Sequence, residues 1–241
     1  MASIRERANA TMRGTTEQFW NKYYTRIMSD GKPWLDYSNE SIQLQTLALS
    51  IDAAGSILGR RCLDVGCGMG YLSLALSDLR ARSVTAVDIV EPTIRKLATA
   101  YPRIEWVAGS ILEPLLLERL GTYDLIFLME TLQYLPQERL LPLLWDKLGA
   151  GGRVVIVVPN AECPIVKGVV QRFQGNYRPP PIPLMARLLN SLPDAEFWAF
   201  RGFFFQRDQR IAPYVAAPWT QERDWQSEPN RVQYVVQKRK P

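Results

Sequence analysis

Leu63-Asp-Val-Gly-Cys-Gly-Met-Gly-Tyr71 joins a short apolar run to an acidic residue and three glycines at alternate positions. The run through Val65 reads as a buried parallel strand, and Gly66, Gly68 and Gly70 read as the turn by which such a strand feeds a helix. Glycines in such a turn let the backbone come close to a ligand. A dinucleotide-binding turn requires Gly-x-Gly-x-x-Gly, but counting from Gly66 the sixth position is Tyr71. No Gly-Lys-Ser or Gly-Lys-Thr follows, which excludes a P-loop.

Outward from this turn, short apolar runs alternate with helical patterns, the signature of an α/β fold with a doubly wound, mostly parallel sheet and helices on both faces. Strands are expected at Cys62 to Val65, Val84 to Asp88, Ile104 to Val107, Leu125 to Leu128 and Val154 to Val158, with an antiparallel last strand at Val232 to Gln237. Leu72, Ala75, Leu76 and Leu79 form an apolar stripe at helical spacing. Glu91 and Pro92 open a second crossover helix that stops before Pro102. A weaker helix is expected from Leu112 to Leu120, and another from Gln137 to Leu148, closing at the glycines Gly149 to Gly152 with Pro142 as a kink or a late start. Beyond the fifth strand, a helix near Leu184 to Leu192 and a strand within Phe197 to Phe205 are expected.

Composition removes whole classes of chemistry. The chain of 241 residues has no histidine, so Ser-His-Asp and Cys-His catalysis and histidine-based zinc hydrolysis are excluded. Any acid or base must be Asp, Glu, Lys, Tyr, Cys or water. Cys62, Cys67 and Cys163 lack the paired spacing of a zinc site, so no metal is expected. Their odd number, with no apolar leader in Met1 to Arg13, points to a reducing cytoplasm. No apolar run is long enough to span a bilayer. A net charge of +5 is carried by scattered Lys and Arg, with one dense run at Lys238 to Lys240, so nucleic acid is not the expected partner and nothing supports a homo-oligomer.

The segment Ile57 to Asn160 resembles the core of class I, Rossmann-like, seven-strand S-adenosylmethionine-dependent methyltransferases of small-molecule type. The resemblance rests on the glycine turn, on Val84-Thr-Ala-Val-Asp88 with an acid at a strand end, and on Tyr123-Asp-Leu-Ile-Phe-Leu-Met-Glu-Thr-Leu-Gln-Tyr-Leu135. It implies S-adenosylmethionine as methyl donor, S-adenosylhomocysteine as product, and cofactor contacts from Asp64, Gly66, Cys67, Gly68, Gly70, Asp88, Ile89, Ser110, Ile111 and Met129. Asp88 would face the ribose hydroxyls and Ile89 the adenine. Ser110 stands where the family often has an acid, and Gln133-Tyr134 where members often have Glu-His. Glu130 and Tyr134 are the candidate catalytic residues. Val157-Val-Pro-Asn160 resembles the strand ending of small-molecule members and lacks the Asn-Pro-Pro-Tyr pattern of adenine and glutamine methylating enzymes.

Residues 1–56 are expected to form an N-terminal helical, aromatic lid, and residues 57–241 the cofactor-binding domain. Trp20, Tyr23, Tyr24 and Trp34 would contact the cofactor, shielding the sulfonium through cation-π attraction. An irregular insert at about 161–226 would select the acceptor, with Arg178 beside Tyr177 and Arg201 beside Phe203 to Phe205 as candidate anion contacts. The implied activity is methyl transfer to a nitrogen or oxygen of a small-molecule acceptor, mainly by positioning and desolvation. Methylation of RNA or protein, and a catalytically silent cofactor-binding partner subunit, are the alternatives.

Overall fold

Alternating apolar side chains, pointing to opposite faces of successive strands, build the centre of the molecule. The computed structural model describes residues 18–22, 24–25, 40–172, 177–203, 217–218 and 230–240. Its strands are β1 (Arg61–Val65), β2 (Ser83–Asp88), β3 (Glu105–Ala108), β4 (Tyr123–Met129), β5 (Leu148–Pro159), β6 (Ala195–Phe203), β7 (Ala217–Pro218) and β8 (Arg231–Lys238). They form a single sheet in the order β3-β2-β1-β4-β5-β8-β6-β7. β1 to β5 are mutually parallel, and β8 runs antiparallel to both β5 and β6, as expected of the last strand.

The helices are α1 (Glu40–Ala54), α2 (Tyr71–Asp78), α3 (Glu91–Ala100), α4 (Pro114–Arg119), α5 (Gln137–Asp146), α6 (Pro164–Arg172) and α7 (Ile182–Asn190). Leu63, Val65, Ile126, Leu128, Val154 and Ile156 pack on one face with Leu116 of α4, Leu140, Leu144 and Trp145 of α5, and Met185 and Leu189 of α7. Cys62, Ala86, Leu125, Phe127 and Val155 pack on the other with Ala54 of α1 and Leu72 and Leu76 of α2. Both faces are therefore covered. Burying two faces explains why these strands read as continuous apolar runs.

Three local expectations are corrected. Gly149 to Gly152 do not close a helix before the strand, because β5 begins at Leu148 and passes through them. The pairing jumps from Tyr123↔Leu148 to Leu125↔Arg153, so the glycines form a bulge. Gly151 has φ 72°, and a Cβ on Gly152 would lie 2.8 Å from the Gly149 carbonyl oxygen. The helix expected from Leu112 is the shorter α4, started by Pro114, whose missing N–H costs nothing at a first helical position. Pro142 marks no late start, since α5 already runs from Gln137. The helix and the strand expected after β5 are present as α7 and β6, with α6 ahead of them, and β6 joins the sheet. Among the described residues, no helix is long and apolar enough to cross a membrane.

Candidate active site

The sheet order reverses between β1 and β4, and a crevice at such a point, beyond the carboxyl ends of the strands, is where open α/β sheets place ligands. β1 enters it with Asp64, which is 2% exposed. The Ser73 hydroxyl of α2 donates to an Asp64 carboxylate oxygen at 2.6 Å. Burial pushes the Asp64 carboxyl up to about 7, the Ser73 bond opposes this, and the nearby Asp88 charge adds to it.

The turn that follows requires glycine for both backbone and space. Gly66, Gly68 and Gly70 have φ of 72°, 54° and 78°. A Cβ on Gly66 would overlap the Thr131 side chain, and one on Gly70 would lie 2.5 Å from Cη2 of Trp106. The N–H groups of Gly66 and Cys67 donate to the Val87 carbonyl at 2.8 and 3.1 Å, which anchors the turn to β2. Burial pushes the Cys67 thiol well above its ordinary range, with Asp88 and Asp64 adding to the shift, so Cys67 is present as a thiol rather than a thiolate.

At the end of β2, the Asp88 carboxylate accepts the N–H of Gly68 through one oxygen and that of Val90 through the other, each at 2.9 Å. Burial raises its pKa, and these backbone bonds work against the rise. A carboxylate has about four lone-pair sites, so two accepted bonds leave capacity for ligand hydroxyls. Ile89 is half-buried beside it. The Gly109 N–H donates to the Asp88 carbonyl at 2.9 Å, joining the end of β3 to the same place. The Ser110 hydroxyl accepts the Leu112 N–H at 3.3 Å and shapes the local turn. The Ile111 side chain lies in the core, 4% exposed, so only its backbone can face a ligand.

β4 delivers Met129 and Glu130. Met129 is half-buried against the core on the α1 and α2 face. Glu130 has φ 54°, donates its N–H to the Val157 carbonyl at 2.8 Å, and pairs through its carboxylate with Arg231 Nε at 2.5 Å. Nothing in the sequence ties Arg231 to Glu130, which lies 101 residues earlier. Gln133 is 2% exposed and donates from Nε2 to the Glu130 carbonyl at 2.7 Å, so the residue in the family's glutamate position stabilises a strained backbone.

Aromatic rings close the mouth. The rings of Trp20 and Tyr24 stack at 5.3 Å, Trp20 meets Tyr134 edge-on at 5.4 Å, and Tyr134 meets Tyr177 at 5.6 Å. A Cβ on Gly68 would lie 2.7 Å from the Tyr24 hydroxyl, which places that hydroxyl over the glycine turn. Tyr23 and Trp34 lie outside the described residues. Arg178 is exposed, and its backbone N–H donates to the Gln133 carbonyl at 2.7 Å. The Arg201 guanidinium bonds Gln233 at 2.6 Å and the Leu49 carbonyl at 3.1 Å, tying α1 to the sheet.

Residues 62–152, which contain most of this site, match the family model described as a methyltransferase domain. This stretch is a methyltransferase domain. The chain around it has the class I fold of S-adenosylmethionine-dependent methyltransferases. The plantazolicin methyltransferase BamL, solved with a triazolic desmethylPZN analog and S-adenosylhomocysteine, superposes with a TM-score of 0.64 at 14% identity, covering 98% of each chain. A methyltransferase of Thermotoga maritima, described as a possible histamine N-methyltransferase, superposes with a TM-score of 0.62 at 16% identity, over 92% of this chain and 98% of its own. By sequence, the methyltransferase domain is 39% identical over 90 residues to the ubiquinone biosynthesis O-methyltransferase of Bordetella avium. That match takes in 35% of this chain and 36% of the relative, so the chain spans about a third of the length of the curated proteins it resembles there.

Proposed function

We propose that this protein transfers a methyl group from S-adenosylmethionine to a nitrogen or oxygen of a small molecule. The observation that carries the reading is the glycine turn at the sheet's reversal point, bonded from Gly68 to the Asp88 carboxylate at 2.9 Å. The turn brings backbone, without side chains, to the mouth of β1, and Asp88 supplies acceptors for hydroxyls. That donor set suits a cofactor carrying a ribose and an amino acid. When bound, S-adenosylmethionine supplies a methyl group on a positively charged sulfur, already activated for attack.

Asp64, Gly66, Cys67, Gly68, Gly70, Asp88, Ile89, Ser110, Ile111 and Met129 would hold the cofactor, with Ile111 acting through its backbone. Trp20, Tyr24 and Tyr134 exclude water from the mouth and present ring faces to a cation. The residues need only align the acceptor and keep the site dry, a task that does not require histidine. Glu130, held by Arg231, serves the site as a fixed negative charge, and Tyr134 lines it. The names of the relatives, which include both O- and N-methyltransferases, support a small-molecule acceptor at either atom.

Calorimetric titration with S-adenosylmethionine, followed by methyl transfer into a metabolite extract, tests the reading. Saturable binding and a methylated product are expected. No binding would overturn it, whereas binding without turnover on any extract would favour a silent partner subunit.

A further inference from the structure

The amino ends of β1, β2 and β3 lie side by side at the edge of the sheet opposite the crevice, because the three strands are parallel neighbours. The segments that enter them share one pattern, an exposed large apolar residue followed closely by exposed arginine. It reads Leu58-Gly-Arg60 before β1, Leu79-Arg-Ala-Arg82 before β2 and Tyr101-Pro-Arg103 before β3. Leu58 is 67% exposed, and of the large apolar side chains exposed among the described residues only Leu115, on α4, lies elsewhere. The first two segments are bonded to each other. The Arg80 carbonyl accepts the Gly59 N–H at 3.0 Å, and the Arg60 carbonyl accepts the Arg82 N–H at 2.8 Å. Their leucines and arginines are therefore held at one place on the surface.

This edge is positively charged. Arg60, Arg80, Arg82 and Arg103 are exposed there beside the exposed carboxylates Asp78 and Glu105, and Glu105 accepts the Thr85 hydroxyl at 2.7 Å. The Arg61 charge is met by Asp124. Apolar tips flanked by long cationic stems match the headgroup boundary of an anionic bilayer. Leucines enter the apolar layer, a tyrosine sits at headgroup level, and guanidinium groups meet lipid phosphates. RNA fits less well, because it is read by stacking bases on aromatic rings, and two of the three tips are aliphatic. We propose that the amino-end edge of the sheet docks this protein peripherally on an anionic lipid surface. In that orientation the crevice at the carboxyl ends faces away from the lipid, so docking and methyl transfer are separable.

The test is co-sedimentation of the full chain with phosphatidylcholine vesicles, with and without about one third phosphatidylglycerol. The wild-type chain is expected to bind the anionic vesicles at least about tenfold more tightly than the neutral ones, and to lose most of that binding in about 0.5 M salt. Arg60→Gln with Arg82→Gln keeps the backbone bonds and should weaken binding about fivefold for each charge lost. Leu58→Ser with Leu79→Ser keeps every charge and should weaken it about tenfold. Leu115→Ser, 75% exposed but beyond the carboxyl end of β3, should leave binding within about twofold. Equal binding to both vesicles, or binding that survives either double substitution in chains folded by circular dichroism, overturns the proposal. So does a wild-type chain that binds single-stranded RNA but no vesicle. A chain that binds no vesicle and self-associates, with self-association lost in Leu58→Ser with Leu79→Ser, overturns it in favour of a second copy at this edge.

Discussion

Arg231 Nε and Glu130 Oε1 meet at 2.5 Å across the end of β5, with their side chains 17% and 12% exposed. The pair joins the start of an antiparallel strand to the end of a parallel one. Removing one partner from a largely buried ion pair leaves the other charge poorly solvated. Arg231→Ala should destabilise the fold by about 3 kcal/mol in urea unfolding. Replacing both residues, Glu130→Gln with Arg231→Met, should recover more than half of that loss. A double variant no more stable than Arg231→Ala would show that the pair contributes through packing alone.

Asp64 ties stability to pH. Its carboxyl titrates near 7 in the folded chain and at ~3.9 in an unfolded one. Between these values the native state binds more protons than the unfolded state. The Asp64 contribution to stability should therefore be highest below about pH 4, fall by on the order of a few kcal/mol toward pH 7, and level off above it. Asp64→Asn keeps an acceptor for the Ser73 hydroxyl and should flatten this slope in denaturant midpoints measured from pH 4 to 8. The slope that persists combines Asp88, whose carboxyl is also raised, with Asp124, whose carboxyl Arg61 holds down and which acts in the opposite direction.

Two glycines separate backbone strain from crowding. Gly59 has φ 73° with nothing within 4 Å of where a Cβ would stand, whereas Gly70 has φ 78° with Trp106 Cη2 at 2.5 Å from that position. Gly59→Ala should cost about 1 kcal/mol, the backbone contribution alone. Gly70→Ala should cost at least twice as much in thermal or denaturant unfolding, and Trp106→Leu in the same chain should recover part of the excess.

The ring contacts make Trp20 a measurable part of the proposed cofactor site. Trp20→Ala removes the contacts with Tyr24 and Tyr134. It should weaken S-adenosylmethionine binding about fivefold to tenfold in calorimetry, while the melting temperature moves by only a few degrees. Unchanged affinity would assign these rings to covering the sheet edge.

The regular core is readable in the sequence because its signals are local. Leu63 to Tyr71 carries strand, turn and helix start in nine residues, and all three glycines adopt the conformations that their spacing implies. The β5 bulge is not readable in the same way, because glycines after a helix resemble a stop signal, and only the pairing with β4 shows them inside a strand. The site is legible at Asp64 and Asp88, where an acid sits at a strand end. It is illegible at Arg231, whose meeting with Glu130 depends on strand order.

The position of β8 sets an order of assembly. β5 and β6 share no hydrogen bonds with each other, because residues 231–238 lie between them. During synthesis both strands emerge before the segment that joins them, so each carries an unpaired edge until β8 arrives. Those edges are templates for pairing with other chains. The residues that bring Arg231 to Glu130 thus also end the interval in which the nascent chain is most exposed to aggregation.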